Sequence, residues 1–290
     1  MPGRPEKVVI AGCVRDAARF LPRVLKHVER MADLFTDAAC IFVENDSRDE
    51  TKPMLRHWSE SKRDVDILTI DGLAQIAPRT QRLEIARNTY IERIRADSRL
   101  SSYDLLILLD LDDVSTTPLD MGAFSGAIDF LQTASDHAAI FANSKGIHYD
   151  LWALRHGRLC PGDVWEAVWD YVEAHGVADD VAFSHVFGKY RVTFPPSHPP
   201  VEVESAFGGL GVYKLSYALR NPNPYQGYKM KVYRDRDQAW RIVRWQRCEH
   251  VHFNQGIRAL GGRLFIVPNL INFDSSKFPF PPWTWRAMIF

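Results

Sequence analysis

The sequence of 290 residues predicts an α/β fold in which helices cover both faces of a mostly parallel sheet. Two observations lead to this class. Strand-like and helix-like segments alternate through the first half of the chain, which is the order expected for parallel strands joined by crossover helices. In addition, residues 105–109 form the unbroken apolar run Leu-Leu-Ile-Leu-Leu, and such a run is typical of a strand that is buried on both faces.

Each strand and helix of the first half is predicted from the spacing of its apolar residues. Short, continuous apolar runs predict strands. These lie at residues 7–12, 39–44, 65–70, 105–109 and 138–143. Apolar residues three or four positions apart predict helices. These lie at residues 17–31, 49–59, 80–96 and 122–133, and Ser47 or Asp49 is expected to cap the second of them.

The second half is less regular, and fewer elements are predicted in it. Residues 148–155 are expected to form a strand. The stretch 208–213 begins with two glycines and is expected to form a turn that runs into a strand. A helix over residues 249–260 is expected to end at the glycine pair 261–262, and residues 264–268 are expected to form a late strand.

The chain shows no linker, repeat or low-complexity segment that would divide it. We therefore expect a single domain over residues 1–290. Its nucleotide-binding half covers about residues 7–115, and its acceptor half covers about residues 116–290.

The composition excludes several classes of protein. With 36 basic and 36 acidic residues the net charge is zero, which argues against a nucleic-acid-binding protein. The four cysteines are scattered without a C-x-x-C pair, as expected for reduced thiols inside a cell. We see neither a signal peptide nor an apolar stretch of about 18 residues, so we expect a cytoplasmic protein.

The apolar run 105–109 ends in acidic residues. Asp110 and Asp112 are two positions apart, so their side chains would point to the same side of an extended chain. Carboxylates this close repel each other unless a cation lies between them. Because Mn²⁺ and Mg²⁺ prefer oxygen ligands and often share them with phosphates, we expect Asp110 and Asp112 to hold one of these ions. The alternative is that one carboxylate caps a turn and the others are solvated.

The other early strands also end in polar residues, which should converge on one edge of a parallel sheet. Glu44 and Asp46 are suited to accept hydrogen bonds from a nucleobase or ribose. The guanidinium groups of Arg15, Arg79 and Arg87 suit the oxygens of a diphosphate. Two alternatives remain open, namely that residues 44–47 form a capped turn and that the arginines belong to a solvated helix face.

Four segments together carry a resemblance to a known family. They are V-V-I-A-G-C-V-R-D at 8–16, V-E-N-D-S-R-D-E-T at 43–51, R-N at 87–88 and D-L-D at 110–112. These segments resemble GT-A glycosyltransferases, and most closely the fungal capsule-associated α-1,3-mannosyltransferases. The resemblance implies a GT-A, Rossmann-like fold and a nucleotide-sugar donor such as GDP-mannose. It also implies a divalent metal held by the D-x-D motif and a saccharide or lipid-linked acceptor.

The same resemblance implies roles for individual residues. Glu249 would be the general base toward the acceptor in an inverting enzyme, whereas in a retaining enzyme it would orient the acceptor or stabilise positive charge. Gly208 and Gly209 would let the backbone approach the donor sugar closely. Asp112 would be a direct metal ligand, and Asp110 would contact the metal or the donor ribose. The alternatives are a helix-dipole charge at Glu249 and an ordinary turn at the two glycines.

The segment 277–290 is rich in aromatic residues and prolines. It either makes a peripheral contact with a membrane, which would suit a lipid-linked acceptor, or packs across its own domain. Packing is the commoner arrangement for such a tail.

Two other functions remain open. The sequence D-L-D-D-V at 110–114 also resembles the nucleophile motif of haloacid dehalogenase-type phosphatases, in which Asp110 would form an aspartyl-phosphate. That motif normally follows the first strand, whereas here several predicted strands precede it. A carbohydrate-binding protein without catalytic activity is the second alternative.

Overall fold

The computed structural model describes residues 5–235 and 237–277, and an eight-stranded mixed sheet lies at its centre. The strands of the described residues are β1 (Lys7–Val14), β2 (Asp37–Glu44), β3 (Val65–Thr69), β4 (Leu105–Leu109), β5 (His137–Lys145), β6 (Val201–Val203), β7 (Leu210–Lys214), β8 (Tyr228–Arg234), β9 (Trp240–Gln246) and β10 (Arg263–Asp274). Strands β8 and β9 form a separate hairpin, and the others form the sheet in the order β3-β2-β1-β4-β7-β5-β10-β6.

Helices connect these strands and cover both faces of the sheet. They are α1 (Leu21–Ala32), α2 (Thr51–Glu60), α3 (Arg79–Ala96), α4 (Met121–Gln132), α5 (Val164–His175), α6 (Asp179–Lys189), α7 (Leu215–Arg220) and α8 (Glu249–Ala259). A short 3₁₀ helix, Asp113–Thr116, follows β4. None of the helices within the described ranges combines the length and the apolar character that crossing a bilayer requires.

The direction of the strands determines where a site is formed. Strands β3, β2, β1 and β4 run parallel to one another, and β5 runs parallel to β10. Strand β7 is antiparallel to both β4 and β5, and β6 is antiparallel to β10. The carboxyl ends of β1, β2 and β4 therefore meet at one edge, which is where open sheets of this kind bind their ligands.

The central strands are buried on both faces, as the apolar run at 105–109 predicts. In β1, Val8 and Ile10 belong to the core beneath α1, α2 and α4, while Val9 and Ala11 belong to the core on the opposite face. The alternation follows from the two-residue period of a strand. Both halves of the chain contribute strands to this one sheet.

The predicted elements of the first half are all present, with shifted ends. The largest shift concerns α1, which begins at Leu21 rather than at residue 17. The preceding residues form a turn in which Phe20 N–H donates to the carbonyl of Ala17 at 2.8 Å. Pro22 then occupies the first turn of the helix, where its missing N–H costs nothing.

The predictions for the second half were less accurate. The strand expected at 148–155 is wrong, because this segment folds into turns held by the carboxylate of Asp150, and only Arg155 makes a strand-like bridge, to Ser205. Helices α5 and α6 and the hairpin β8–β9 were not predicted. The hairpin was not predicted because residues 235–239, which join its strands, contain none of the glycine-based dipeptides that indicate a tight turn. Most of the aromatic segment 277–290 lies outside the described residues.

Candidate functional site

Acidic residues follow strand β4 at the carboxyl-terminal edge of the sheet. Asp110 leaves the strand directly, and its N–H donates to the carbonyl oxygen of Gly209 at 2.9 Å. Asp112 begins the 3₁₀ helix Asp113–Thr116 and accepts a hydrogen bond from the N–H of Val114 at 3.2 Å. Asp112 therefore caps the 3₁₀ helix, as the alternative interpretation of the acidic residues proposed. The cap uses Oδ1 of Asp112, and Oδ2 is the oxygen that could bind a cation.

The negative charges of this acidic group are not balanced within the group. Burial, followed by the charges of Asp110 and Asp113, raises the pKa of Asp112 to about 7. Burial also raises the pKa of Asp110, although the positive charge of Arg87 opposes the change. A raised carboxyl pKa means that the folded protein disfavours the ionised form, and a bound cation would remove that penalty.

A buried arginine connects the acidic group to helix α8. Arg87 of α3 donates from Nη2 to Oδ1 of Asp110 at 3.2 Å and from Nε to Oε1 of Glu249 at 2.8 Å. The Arg87 side chain is only 3% exposed, and its guanidinium lies 5.0 Å from the ring centre of Phe207. The structure thus brings together Arg87, Asp110 and Glu249, all expected at the site. A direct contact between Arg87 and a diphosphate stays a prediction.

Another carboxylate, which sequence reasoning missed, lies near this group. Asp150 accepts the N–H of Gly208 at 3.0 Å and the N–H of Ala153 at 3.2 Å. Burial raises the pKa of Asp150, and its negative charge contributes to the raised pKa of Asp110, after burial. The available signal was a polar segment after β5, but the strand wrongly predicted at 148–155 concealed it.

Gly208 and Gly209 shape the same edge of the sheet. Their φ angles are 68° and 75°, in the left-handed region that favours glycine. A Cβ atom on Gly208 would lie 2.4 Å from the carbonyl oxygen of Ala142, and one on Gly209 would lie 2.5 Å from Cγ1 of Val114. The close packing of the protein itself therefore requires both glycines. Their approach to a donor sugar stays a prediction.

Three arginines from two neighbouring segments form a positive cluster near the acidic group. Arg15 lies just after β1, while Arg79 and Arg82 lie in the first turn of α3. Burial, and then the charges of Arg15 and Arg79, lower the pKa of Arg82, so Arg82 is repelled by both of these arginines. The charge of Arg79 also opposes the raised pKa values of Asp110 and Asp112. A diphosphate near this cluster would relieve the repulsion among the arginines.

The polar segment 44–51 fastens the surrounding loops. Glu44 is fully buried, and its Oε1 accepts the N–H of Ser47 at 2.8 Å. The carboxylate of Asp46 accepts two backbone N–H groups of the loop after β3, each at 2.7 Å, and these bonds lower the pKa of Asp46. The capped turn considered as an alternative is present, and contact of Glu44 or Asp46 with a donor stays a prediction.

The same segment also holds the loop after β1. The side chains of Ser47, Asp49 and Thr51 accept the N–H groups of residues 16–18 at 2.8–3.0 Å. These bonds fix the backbone immediately after Arg15. The polar motif therefore has a structural role that accounts for its residue types.

The acidic residues fit a metal ion that is shared with a ligand rather than enclosed by protein. Within the described ranges, no group of three or more His, Cys, Asp or Glu side chains is placed to hold a metal ion alone. Asp110 and Asp112 supply carboxylate oxygens at the mouth of the sheet. One or two such ligands are what Mg²⁺ and Mn²⁺ take from protein when phosphates and water complete their coordination.

Comparison with known proteins gives a match only at the level of structure. Neither the protein-family models nor the curated proteins match this chain. A mannosyltransferase from Pyrobaculum calidifontis, solved in complex with GDP-Man and Mn²⁺, aligns with 99% of the chain at 13% identity and a TM-score of 0.52. The chain spans 61% of the length of that protein.

Two further structures align less well. TarS from S. aureus aligns with 92% of this chain and 60% of its own at 9% identity and a TM-score of 0.48. Glucosyl-3-phosphoglycerate synthase from Mycobacterium tuberculosis, in complex with UDP, aligns with 73% of this chain and 58% of its own at 11% identity and a TM-score of 0.36.

The likeness to the mannosyltransferase confirms the predicted GT-A α/β fold. At this identity it establishes the fold alone, so the resemblance to the fungal capsule-associated family stays a prediction. The phosphatase alternative is not favoured, because Asp110 follows the fourth strand of this fold rather than the first.

Proposed function

We propose that this chain is a metal-dependent glycosyltransferase that uses a nucleotide-diphosphate sugar as its donor. The observation that carries the proposal is the pair Asp110 and Asp112 at the carboxyl edge of the sheet, next to the Arg87–Glu249 ion pair and within electrostatic reach of Arg79. The GT-A fold supports the same reaction class. The carboxylates suit a cation, and the arginines suit the anionic oxygens of the donor.

The proposed donor site contains positively charged groups for the diphosphate and negatively charged groups for the cation and the nucleoside. Arg15 and Arg79 bind the diphosphate oxygens, while Glu44 and Asp46 lie at the end of β2, where the nucleoside is expected. A divalent cation held by Asp110 and Asp112 would neutralise the charge that develops on the leaving nucleoside diphosphate. The backbone at Gly208 and Gly209 borders the space for the sugar.

The donor is proposed to be GDP-mannose. The resemblance of segments 8–16, 43–51, 87–88 and 110–112 to capsule-associated mannosyltransferases supports this choice. The structure of the similar mannosyltransferase contains GDP-Man and Mn²⁺. The proposed acceptor is a saccharide or a lipid-linked saccharide, which would place the enzyme in polysaccharide synthesis.

Glu249 is proposed to act next to the acceptor. Its Oε1 accepts a hydrogen bond from Nε of Arg87, and only 4% of the Glu249 side chain is exposed. The buried ion pair favours a role in which Glu249 positions Arg87 over a role as general base. Glu249 fixes Arg87, and Arg87 in turn fixes Asp110.

The proposal is tested by measuring nucleoside diphosphate release from a panel of sugar nucleotides with Mn²⁺, with Mg²⁺ or with EDTA. We expect release from GDP-mannose in the presence of metal and none with EDTA. Hydrolysis of p-nitrophenyl phosphate without any sugar nucleotide would instead support the phosphatase. Saccharide binding without turnover of any donor would support the non-catalytic alternative.

A further inference from the structure

The outer face of the β8–β9 hairpin collects the most exposed large apolar side chains of the described residues. Four of them are between 58% and 67% exposed, more than any other large apolar side chain in the described ranges. They are Met230, Val232, Trp240 and Ile242. The register pairs Val232 with Ile242, Arg234 with Trp240 and Met230 with Arg244, so these side chains form one continuous patch.

The inner face of the hairpin is firmly attached to helix α5. Lys231 bridges Glu166 at 3.1 Å and Asp170 at 2.6 Å, and its ammonium lies over the rings of Trp169 and Trp245 at 4.4 and 4.9 Å. The rings of Trp169 and Trp245 pack 5.3 Å apart. Trp169 of α5 therefore fixes the hairpin through its contacts with Lys231 and Trp245. The apolar patch faces outward because the opposite face is occupied.

Arginines lie beside the apolar side chains of the outer face. The two strands, which lie wholly within the described residues, contain five lysines and arginines and no acidic residue. However, Lys229 and Lys231 of the inner face pair with Glu166, and Arg241 pairs with Asp235. On the outer face, the guanidinium of Arg234 lies 4.6 Å from the ring centre of Trp240, and that of Arg244 lies 3.6 Å from the ring centre of Tyr228. Arg234 and Arg244 therefore place positive charge on the same face as the apolar patch.

We propose that the outer face of the β8–β9 hairpin docks on the surface of an anionic lipid bilayer. Tryptophan and aliphatic side chains enter the boundary between head groups and acyl chains, and arginines beside them bind lipid phosphates. A second copy of the chain is a poorer occupant, because a twofold contact would bring the arginines of two identical faces together. Nucleic acid is also a poorer occupant, because the centre of the patch is apolar.

This docking surface goes beyond the proposed glycosyl transfer and does not depend on it. It differs from the membrane contact considered for segment 277–290, since it lies in a different part of the chain. If the acceptor is lipid-linked, docking would bring the enzyme to the surface that carries it.

The test is co-sedimentation of the full chain with phosphatidylcholine vesicles that contain or lack phosphatidylglycerol. We expect binding only to the anionic vesicles, weakened by salt. The double variant Trp240→Ser/Ile242→Ser should lower vesicle binding about tenfold or more, because it removes most of the inserted apolar area. Val181→Ser, which replaces an exposed apolar residue of α6, is the matched control and should bind like the parent.

Several outcomes would overturn the proposal. One is that the parent chain does not bind anionic vesicles even at low salt. Another is that Trp240→Ser/Ile242→Ser binds as well as the parent, or that binding is lost only in Trp283→Ser/Trp285→Ser, which would assign it to the tail. A concentration-dependent dimer abolished by Trp240→Ser/Ile242→Ser, without vesicle binding, would assign the patch to self-association. Melting temperatures equal to that of the parent chain would show that the variants are folded, so that a difference in vesicle binding reflects the docking surface.

Discussion

Arg87 and Glu249 are 162 positions apart in the chain, yet Nε of the arginine lies 2.8 Å from Oε1 of the glutamate. Both side chains are almost completely buried. The same guanidinium also holds Asp110 at 3.2 Å, so one cation fixes a carboxylate at the end of β4 relative to a carboxylate at the start of α8. The two parts of the candidate site are thereby joined by a single side chain.

Replacement of Arg87 by methionine should destabilise the protein strongly. Removing one partner of a buried ion pair leaves uncompensated charge, which costs about 3–5 kcal/mol. Arg93→Met is a matched control on the same helix, because Arg93 also pairs with two carboxylates, Asp66 and Asp97, but is partly exposed. The control should lose less than about 1 kcal/mol in urea unfolding followed by circular dichroism. Equal losses in the two variants would refute the role of Arg87.

Two substitutions of Glu249 separate its possible roles. Glu249→Gln keeps an oxygen that accepts from Arg87, whereas Glu249→Ala removes it. If Glu249 positions Arg87, glutamine should retain most of kcat and alanine should lower it about tenfold or more. If Glu249 is the general base, both variants should lose activity alike, and the acidic limb of the pH–rate profile should disappear. Transfer assays over a range of pH distinguish these results.

Gly208→Ala should destabilise the protein by about 1–3 kcal/mol or more, because a side chain at positive φ is strained and its Cβ would lie 2.4 Å from the carbonyl oxygen of Ala142. Gly126→Ala is the control. Gly126 lies within α4, and its added Cβ would meet no atom within 4 Å, so alanine there should stabilise by about 0.5–1 kcal/mol. Changes of equal sign in the two melting temperatures would contradict this account.

His148 should make stability depend on pH. The ring is fully buried, both of its nitrogens lack a hydrogen-bond partner among the described residues, and burial lowers its pKa to about 4 from an ordinary value of 6.5. The unfolded chain therefore binds the proton more readily, so stability should be full above about pH 6.5 and should fall as the pH decreases toward 4. The difference between the pKa values of His148 in the folded and unfolded chains corresponds to a loss of folding free energy of at most about 3 kcal/mol.

The variant His148→Leu tests this dependence. Urea midpoints measured between pH 7.5 and pH 4.5 should fall less steeply for His148→Leu than for the parent chain. His57→Leu, which replaces an exposed histidine of α2, should leave the slope unchanged. The expectation fails if the parent and His148→Leu lose stability in parallel.

The sequence predicts the structure well where a short segment determines its own conformation. The run at 105–109 predicted a buried strand because it is short, continuous and bounded by polar residues, and the acidic residues after it were therefore expected at an edge of the sheet. The capped turn considered for residues 44–47 is present in the structure. Its hydrogen bonds to residues 16–18 were not predictable, because they join loops that only the sheet brings together.

The contacts that sequence reasoning missed are those set by tertiary packing. The position of Arg87 on a helix suggested a solvated face or a phosphate contact, and nothing local indicates that it is buried between Asp110 and Glu249. Asp150 was overlooked because its segment was interpreted as a strand. The β8–β9 hairpin was overlooked because its stability comes from contacts with α5 rather than from its turn.

Asp110 and Asp112 are proposed to hold a divalent cation against a nucleoside diphosphate, and calorimetric titration of GDP into the chain measures this most directly. GDP should bind with Mn²⁺ present, and EDTA should abolish binding. Asp112→Asn keeps the hydrogen bond to Val114 but removes the charge, so it should weaken Mn²⁺-dependent binding about tenfold or more while the fold is preserved. Asp129→Asn, at an exposed position of α4, should bind like the parent. Equal GDP affinity with Mn²⁺ and with EDTA, or in Asp112→Asn and the parent, would contradict the account.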